Sequence, residues 1–364
     1  MAKGFCTNER IEFVDAVTGA RIIQLTSYPS PAMSLFYANT NFTPDRQRLI
    51  LLCQRSASRS APWDLWSVRA DGSELRQMTD SDDAGGFVLS PDGRVVYFHR
   101  DGALWQVDME DLKEERVCDL GLQGGAGLGF VTPDGEYYFT ATYTPGNSGR
   151  TPGGRRATVY RARTDGSEVV RHTPDAGDSW TLHSVSPAGH GLLSIAVSDR
   201  GKEYRLLDYD LKLRAVYTRT HDFAHSTFLG RTPEIQGCGL PPEHALFRIR
   251  PHEETPRVIA SGPYFWHSGS SLDAQWIVAD TNWPDVGLQL VHVPTGHFAA
   301  LCYPRSSQGH PQWSHPHPQF SPDARCVIFT SDATGVPQVY LVRIPNELRE
   351  RIIAGALSMD TRRR

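Results

Sequence analysis

The sequence predicts an all-β protein, a seven-bladed β-propeller closed by an N-terminal strand added to the last blade. Three observations carry that expectation. A unit of two hairpins repeats along the chain, and its anchors Asp45, Asp92 and Asp134 stand 47 and 42 residues apart, a period that fits four strands per blade. The 364 residues include 32 Gly and 25 Pro with no collagen-like order, as a chain of many tight turns requires. Half a repeat also stands alone at the N-terminus.

The first half of each unit is a Ser/Thr-Pro-Asp turn followed by a β-rich run. It occurs as Thr43-Pro44-Asp45 before residues 49–52, Ser90-Pro91-Asp92-Gly93 before 95–98, and Thr132-Pro133-Asp134-Gly135 before 137–139. It returns as Ser186-Pro187 before 192–193, Leu272-Asp273 before 276–278, and Ser321-Pro322-Asp323 before 327–329. Proline fixes one φ of the turn and Asp or Gly tolerates the positions that follow. The fifth copy, over 228–239, lacks this signature.

The second half is another hairpin, clearest in 65–79 around Asp71-Gly72-Ser73, and it recurs in 104–107, 159–170, 204–217, 246–259, 288–301 and 339–344. The lone unit over 11–26 has no first half of its own. It can supply an outer strand to the last blade and cover an open sheet edge. Residues 1–345 therefore read as a single propeller domain, 143–156 as a projecting loop rich in Gly, Pro, Ser and Thr, and 346–364 as a charged C-terminal tail.

Composition removes several functions. With 37 Lys plus Arg against 41 Asp plus Glu, the net charge of -4 argues against nucleic-acid binding through bulk positive charge. The N-terminal residues show no apolar run of signal-peptide type and no stretch is long enough to span a membrane, so the expectation is a cytoplasmic protein with no membrane partner. The six cysteines are scattered without a C-x-x-C pair, and buried free thiols are expected. No serine lies in a G-x-S-x-G context.

The densest polar constellation is Gln312-Trp313-Ser314-His315-Pro316-His317-Pro318. In an extended strand His315 and His317 would point the same way, about 6 to 7 Å apart, and the two prolines would stiffen the segment. His267, His225 and His183 stand at the matching entrances of the sixth, fifth and fourth blades. Equivalent positions of successive blades face one channel, so these imidazoles should ring one axis. Neutral imidazoles with an amide oxygen suit a divalent ion such as Mn²⁺, with Zn²⁺, Fe²⁺ and Ni²⁺ also compatible by ligand type. Trp180, Trp266 and Trp313, each close in sequence to one of these histidines, are candidates to stack on a sugar face.

The stretch from Gln312 through Asp323, with Phe329-Thr330-Ser331-Asp332 and residues 336–340, closely resembles the C-terminal blade of the oligogalacturonate lyases, which are seven-bladed propellers. Residues 85–92 resemble their second blade, and Asp15, Thr18-Gly19 and Leu25-Thr26 their closing strand. The resemblance implies a manganese ion held by His267, Gln312, His315 and His317. It further implies His225 as general base and an arginine on the sugar carboxylate, with Arg205 the best match and Arg200 its rival. Arg200, His183, Trp266 and Trp313 complete the expected substrate contacts. The implied reaction is β-elimination on short oligogalacturonides or another uronate oligosaccharide. Two other readings compete: a TolB-like propeller that binds protein partners without catalysis, and a related metal-site enzyme acting differently on another sugar acid.

Overall fold

The computed structural model describes residues 2–56, 58, 60–81, 84–122, 126–143, 157–173, 179–198, 201–218, 222–283, 286–309 and 314–356. Its strands form seven antiparallel sheets, five of four strands and two of five. Each sheet is one blade of a β-propeller. The expected loop over 143–156 lies outside the described residues from 144 onward.

Packing between blades holds the ring. Seven apolar clusters fill the wedges between neighbours, each drawing on two adjacent blades. Leu193, Tyr204 and Tyr217 of blade four meet Phe223, Phe228 and Phe247 of blade five. Leu25, Leu49, Leu51 and Trp66 meet Ile328, Val339 and Leu341 where blade one faces blade seven. Strands covered on both faces carry continuous apolar runs, such as residues 276–279 of the wholly buried Trp276–Thr281.

Blade seven is built from both ends of the chain. Its sheet runs Gln319–Phe320, Cys326–Ser331, Gln338–Arg343, then Arg21–Gln24 and Ile11–Val14. Ile22 pairs with Val342 and Ile23 with Leu341, so two N-terminal strands join it. The segment Cys6–Thr7 continues onward and pairs with Leu75–Gln77 of blade one.

The first-half turn has a fixed internal chemistry. In five blades the Ser or Thr hydroxyl donates to the Asp carboxylate at 2.5 to 2.7 Å. The same hydroxyl accepts a backbone N–H five residues on at 3.0 to 3.1 Å. Blade five, without the signature, turns instead at Gly230 (φ +54°), where a side chain would meet the Ser271 carbonyl at 2.6 Å.

The tail begins as a helix, Asn346–Ile353, which docks by burying Ile352. All six cysteines are free; Cys53, Cys238 and Cys302 are buried, Cys118 and Cys326 partly so, and Cys6 is exposed.

Candidate metal centre

The inner strands place the histidines through β-bulges. In blade four the register shifts between Leu182 and Ser184, leaving His183 as the extra residue. Corresponding shifts bracket His225 in blade five and His267 in blade six. A bulge re-aims a side chain that regular pleating would send elsewhere. His225 adopts a left-handed backbone, φ +52°.

The H-P-H segment differs from the extended strand that the alternation argument assumed. Blade seven's inner strand starts only at Gln319, and His317 has φ +45°. The rings of His315 and His317 still lie 6.0 Å apart, and that of His267 is 4.0 Å from His317 and 5.4 Å from His315. His225 adjoins the group, its ring 4.2 Å from His267. The structure thus brings His225, His267, His315 and His317 together. Gln312, Trp313 and Arg200 lie outside the described residues.

Hydrogen bonds set which ring nitrogen each imidazole offers. His225 Nδ1 faces the Trp266 carbonyl at 2.8 Å and His183 Nδ1 the Ser226 carbonyl at 3.2 Å. Both rings therefore donate from Nδ1 and keep Nε2 as the basic atom. Desolvation presses four of the imidazoles toward the neutral form: His183 is lowered to about 4, His225 to about 2, and His267 and His317 well below the ordinary histidine value. Neutral imidazole is the form that ligates metals.

Two residues of the cluster escape a reading of the sequence. Asp280, 2% exposed in the second strand of blade six, faces the His267 ring and also accepts from the backbone around the cluster. Its only sequence signal is a carboxylate ending an apolar run. Tyr37, 5% exposed, comes from residues 34–41, which leave blade one between its inner segment Ala32–Met33 and the Phe42–Leu49 bridge. Its ring lies 5.6 Å from His267, 6.0 Å from His225 and 6.2 Å from His317. Its buried hydroxyl has no hydrogen-bond partner among the described residues.

The remaining candidates lie around this group. Trp266 stands edge-on to His225 at 4.4 Å. His183 lines a cleft of about 150 Å³ with Phe36, Leu128, Phe130 and Tyr143, and Phe36 links that cleft to His317, 6.3 Å away. Arg205 is on the third strand of blade four, its guanidinium paired with Glu203 at 2.6 Å. From the same strand Lys202 reaches Asp222 and the Phe223 carbonyl at the foot of the His225 strand.

The donor types fit a divalent cation: three imidazoles beside a buried carboxylate, with one of them, His267, oriented by that carboxylate as metal-bound histidines are. Among the described residues no group of three or more His, Cys, Asp or Glu side chains is placed, as it stands, to hold a metal ion. His315 Nε2 is turned to the Gln308 carbonyl at 3.1 Å.

Comparison with known proteins bears out the resemblance. The chain is 21% identical over 387 aligned positions to the oligogalacturonate lyase of Dickeya dadantii (strain 3937), across 92% of this chain and 96% of that one. A 41-residue segment is 46% identical to the oligogalacturonide lyase of Pectobacterium atrosepticum, 11% of each chain. The solved oligogalacturonate lyase from Vibrio parahaemolyticus superposes with a TM-score of 0.78 at 17% identity, over 95% of this chain and all of that one. A structure described as oligogalacturonate lyase in complex with manganese gives 0.77 at 18%, over 96% and 100%. At these identities the superpositions establish the fold. No family model matches the chain.

Proposed function

We propose that this chain is a metal-dependent lyase that cleaves short oligogalacturonides by β-elimination. One observation carries the reading: imidazoles from blade seven crowd around His267 of blade six, whose ring meets Asp280, a carboxylate buried with no lysine or arginine ion pair among the described residues. An isolated buried anion is costly, and a cation among the imidazoles offsets that cost. The relatives named as oligogalacturonate lyases, one solved with manganese, supply the substrate class and the metal.

His267, His315 and His317, with Gln312 as a fourth donor, would hold Mn²⁺, His315 turning from Gln308 to do so. When bound, such an ion withdraws charge from a uronate carboxylate and so acidifies the adjacent C5–H. His225 takes that proton on Nε2, the nitrogen its Trp266 hydrogen bond leaves free. Its burial keeps Nε2 unprotonated beforehand, and the negative charge of a bound uronate raises its basicity on binding. The electron pair of the broken C5–H bond forms the C4–C5 double bond as the C4–O bond to the leaving sugar breaks, its electron pair staying on the leaving oxygen, which takes a proton from water. Trp266 beside His225 and the cleft at His183 and Phe36 receive the sugar rings.

Arg205 and Arg200 compete for the carboxylate. Arg205 must exchange Glu203 for substrate, so its role predicts that Arg205→Ala raises KM while leaving bound metal unchanged; the same result with Arg200→Ala alone would assign the task there.

The test is elemental analysis of the purified protein followed by an assay for unsaturated uronate absorbance on digalacturonate. His315→Ala should lose metal and turnover together. His225→Ala should retain metal and lose turnover by at least about 100-fold, the usual scale of a general base. Metal-free wild-type protein with no lyase activity on added Mn²⁺ would point instead to a non-catalytic binding propeller.

A further inference from the structure

Asp280 touches two of the proposed ligands in two different ways. Its Oδ2 lies 2.9 Å from His267 Nδ1 and accepts the backbone N–H of His317 at 3.2 Å, while its Oδ1 accepts the backbone N–H of His267 at 2.6 Å. The carboxylate therefore spans blades six and seven. A carboxylate has no proton to give when ionised, so the bond to Nδ1 requires the proton on His267 and leaves Nε2 as the lone-pair nitrogen. The bond to the His317 amide secures a residue whose left-handed backbone, φ +45°, is unfavourable for a residue with a Cβ.

We propose that Asp280 is the positioning residue of the metal centre, fixing the His267 tautomer and the His317 backbone and balancing part of the ion's charge. This rests on the metal-centre reading above. In this proposal Asp280 serves as acceptor to these donors rather than as a ligand. Its effect is exerted through His267 and His317, and its loss should be felt as metal affinity before it is felt as anything else.

The test titrates metal-free wild-type and Asp280→Asn protein with Mn²⁺ alone, reading free ion by electron paramagnetic resonance. An amide nitrogen at this position would donate toward Nδ1 and favour the opposite tautomer. Wild-type protein should bind one ion, and Asp280→Asn should bind it 10- to 100-fold more weakly, on the order seen when outer-shell partners of metal ligands are removed. Wild-type binding with unchanged affinity in Asp280→Asn overturns the positioning role and leaves the metal centre standing. Failure of the wild type to bind Mn²⁺ removes both.

Because a buried substitution can impair folding, a second measurement needs no variant at Asp280. Long-range ¹H–¹⁵N spectra of the metal-free wild-type protein, with His267 assigned by loss of its signals in His267→Gln, report which ring nitrogen is protonated. Protonation of Nδ1 is the expected result; protonation of Nε2 overturns the assignment.

Discussion

His183 and His225 show what burial does to a single imidazole. Both have folded values below that of a free histidine, so their contribution to stability is present above about 6.5 and is lost as pH falls toward about 4 for His183 and about 2 for His225. The melting temperature of metal-free protein should therefore fall between pH 7.5 and pH 5, with part of the fall removed in His183→Gln; equal melting at the two pH values would contradict neutral burial. His225, His267, His315 and His317 were legible in the sequence because repeat spacing assigns each to an inner-strand entrance. Asp280 and Tyr37 were not. A carboxylate ending an apolar strand and a tyrosine in an unpatterned stretch carry no local sign of the long-range contacts that give them meaning.

Strand alternation predicted the convergence of His315 and His317 for an incomplete reason. The bulges in blades four to six and the irregular run before Gln319 do the aiming, and bulges have no dependable sequence mark. The turns were far more legible, since each needs only local chemistry. Ser90 joins the Asp92 carboxylate to the Val95 amide, so Ser90→Ala should lower stability by about 1 kcal/mol, read as a lower urea midpoint with an unchanged slope. The excursion over 34–41 is the opposite case. Gln319 donates to the carbonyls of Leu35 and Phe36, and Asn39 donates to the Gly129 carbonyl of the segment entering blade three, so this loop crosses the channel and floors the histidine cluster with Tyr37. Tyr37→Ala should cost about 3 to 5 kcal/mol as a large aromatic cavity and weaken Mn²⁺ binding as well; stability and affinity matching wild type would show the floor to be dispensable.

At the scale of the molecule, the seven-bladed ring was legible from the repeat, and the lone N-terminal unit marked the place of closure. The number of N-terminal strands in the last blade was not, because pairing of Arg21–Gln24 with Gln338–Arg343 depends on contacts more than 300 residues apart in the chain. Ile22, 2% exposed within the cluster shared by blades six and seven, tests that junction: Ile22→Ala should destabilise by about 2 to 5 kcal/mol in one cooperative melt. A melt in which the remaining blades unfold separately would show that the ring does not act as a unit.

The three described imidazoles assigned to the ion all come from the last two blades, and the tyrosine beneath them from the first. During synthesis, five complete blades leave the ribosome before His267 does, and domains acquire structure as the chain emerges. An ion held by these imidazoles would therefore bind after the early blades have emerged. On the proposed assignment, binding of an ion would report that both ends of the polypeptide have met, making metal content a gauge of how many molecules in a preparation finished assembling.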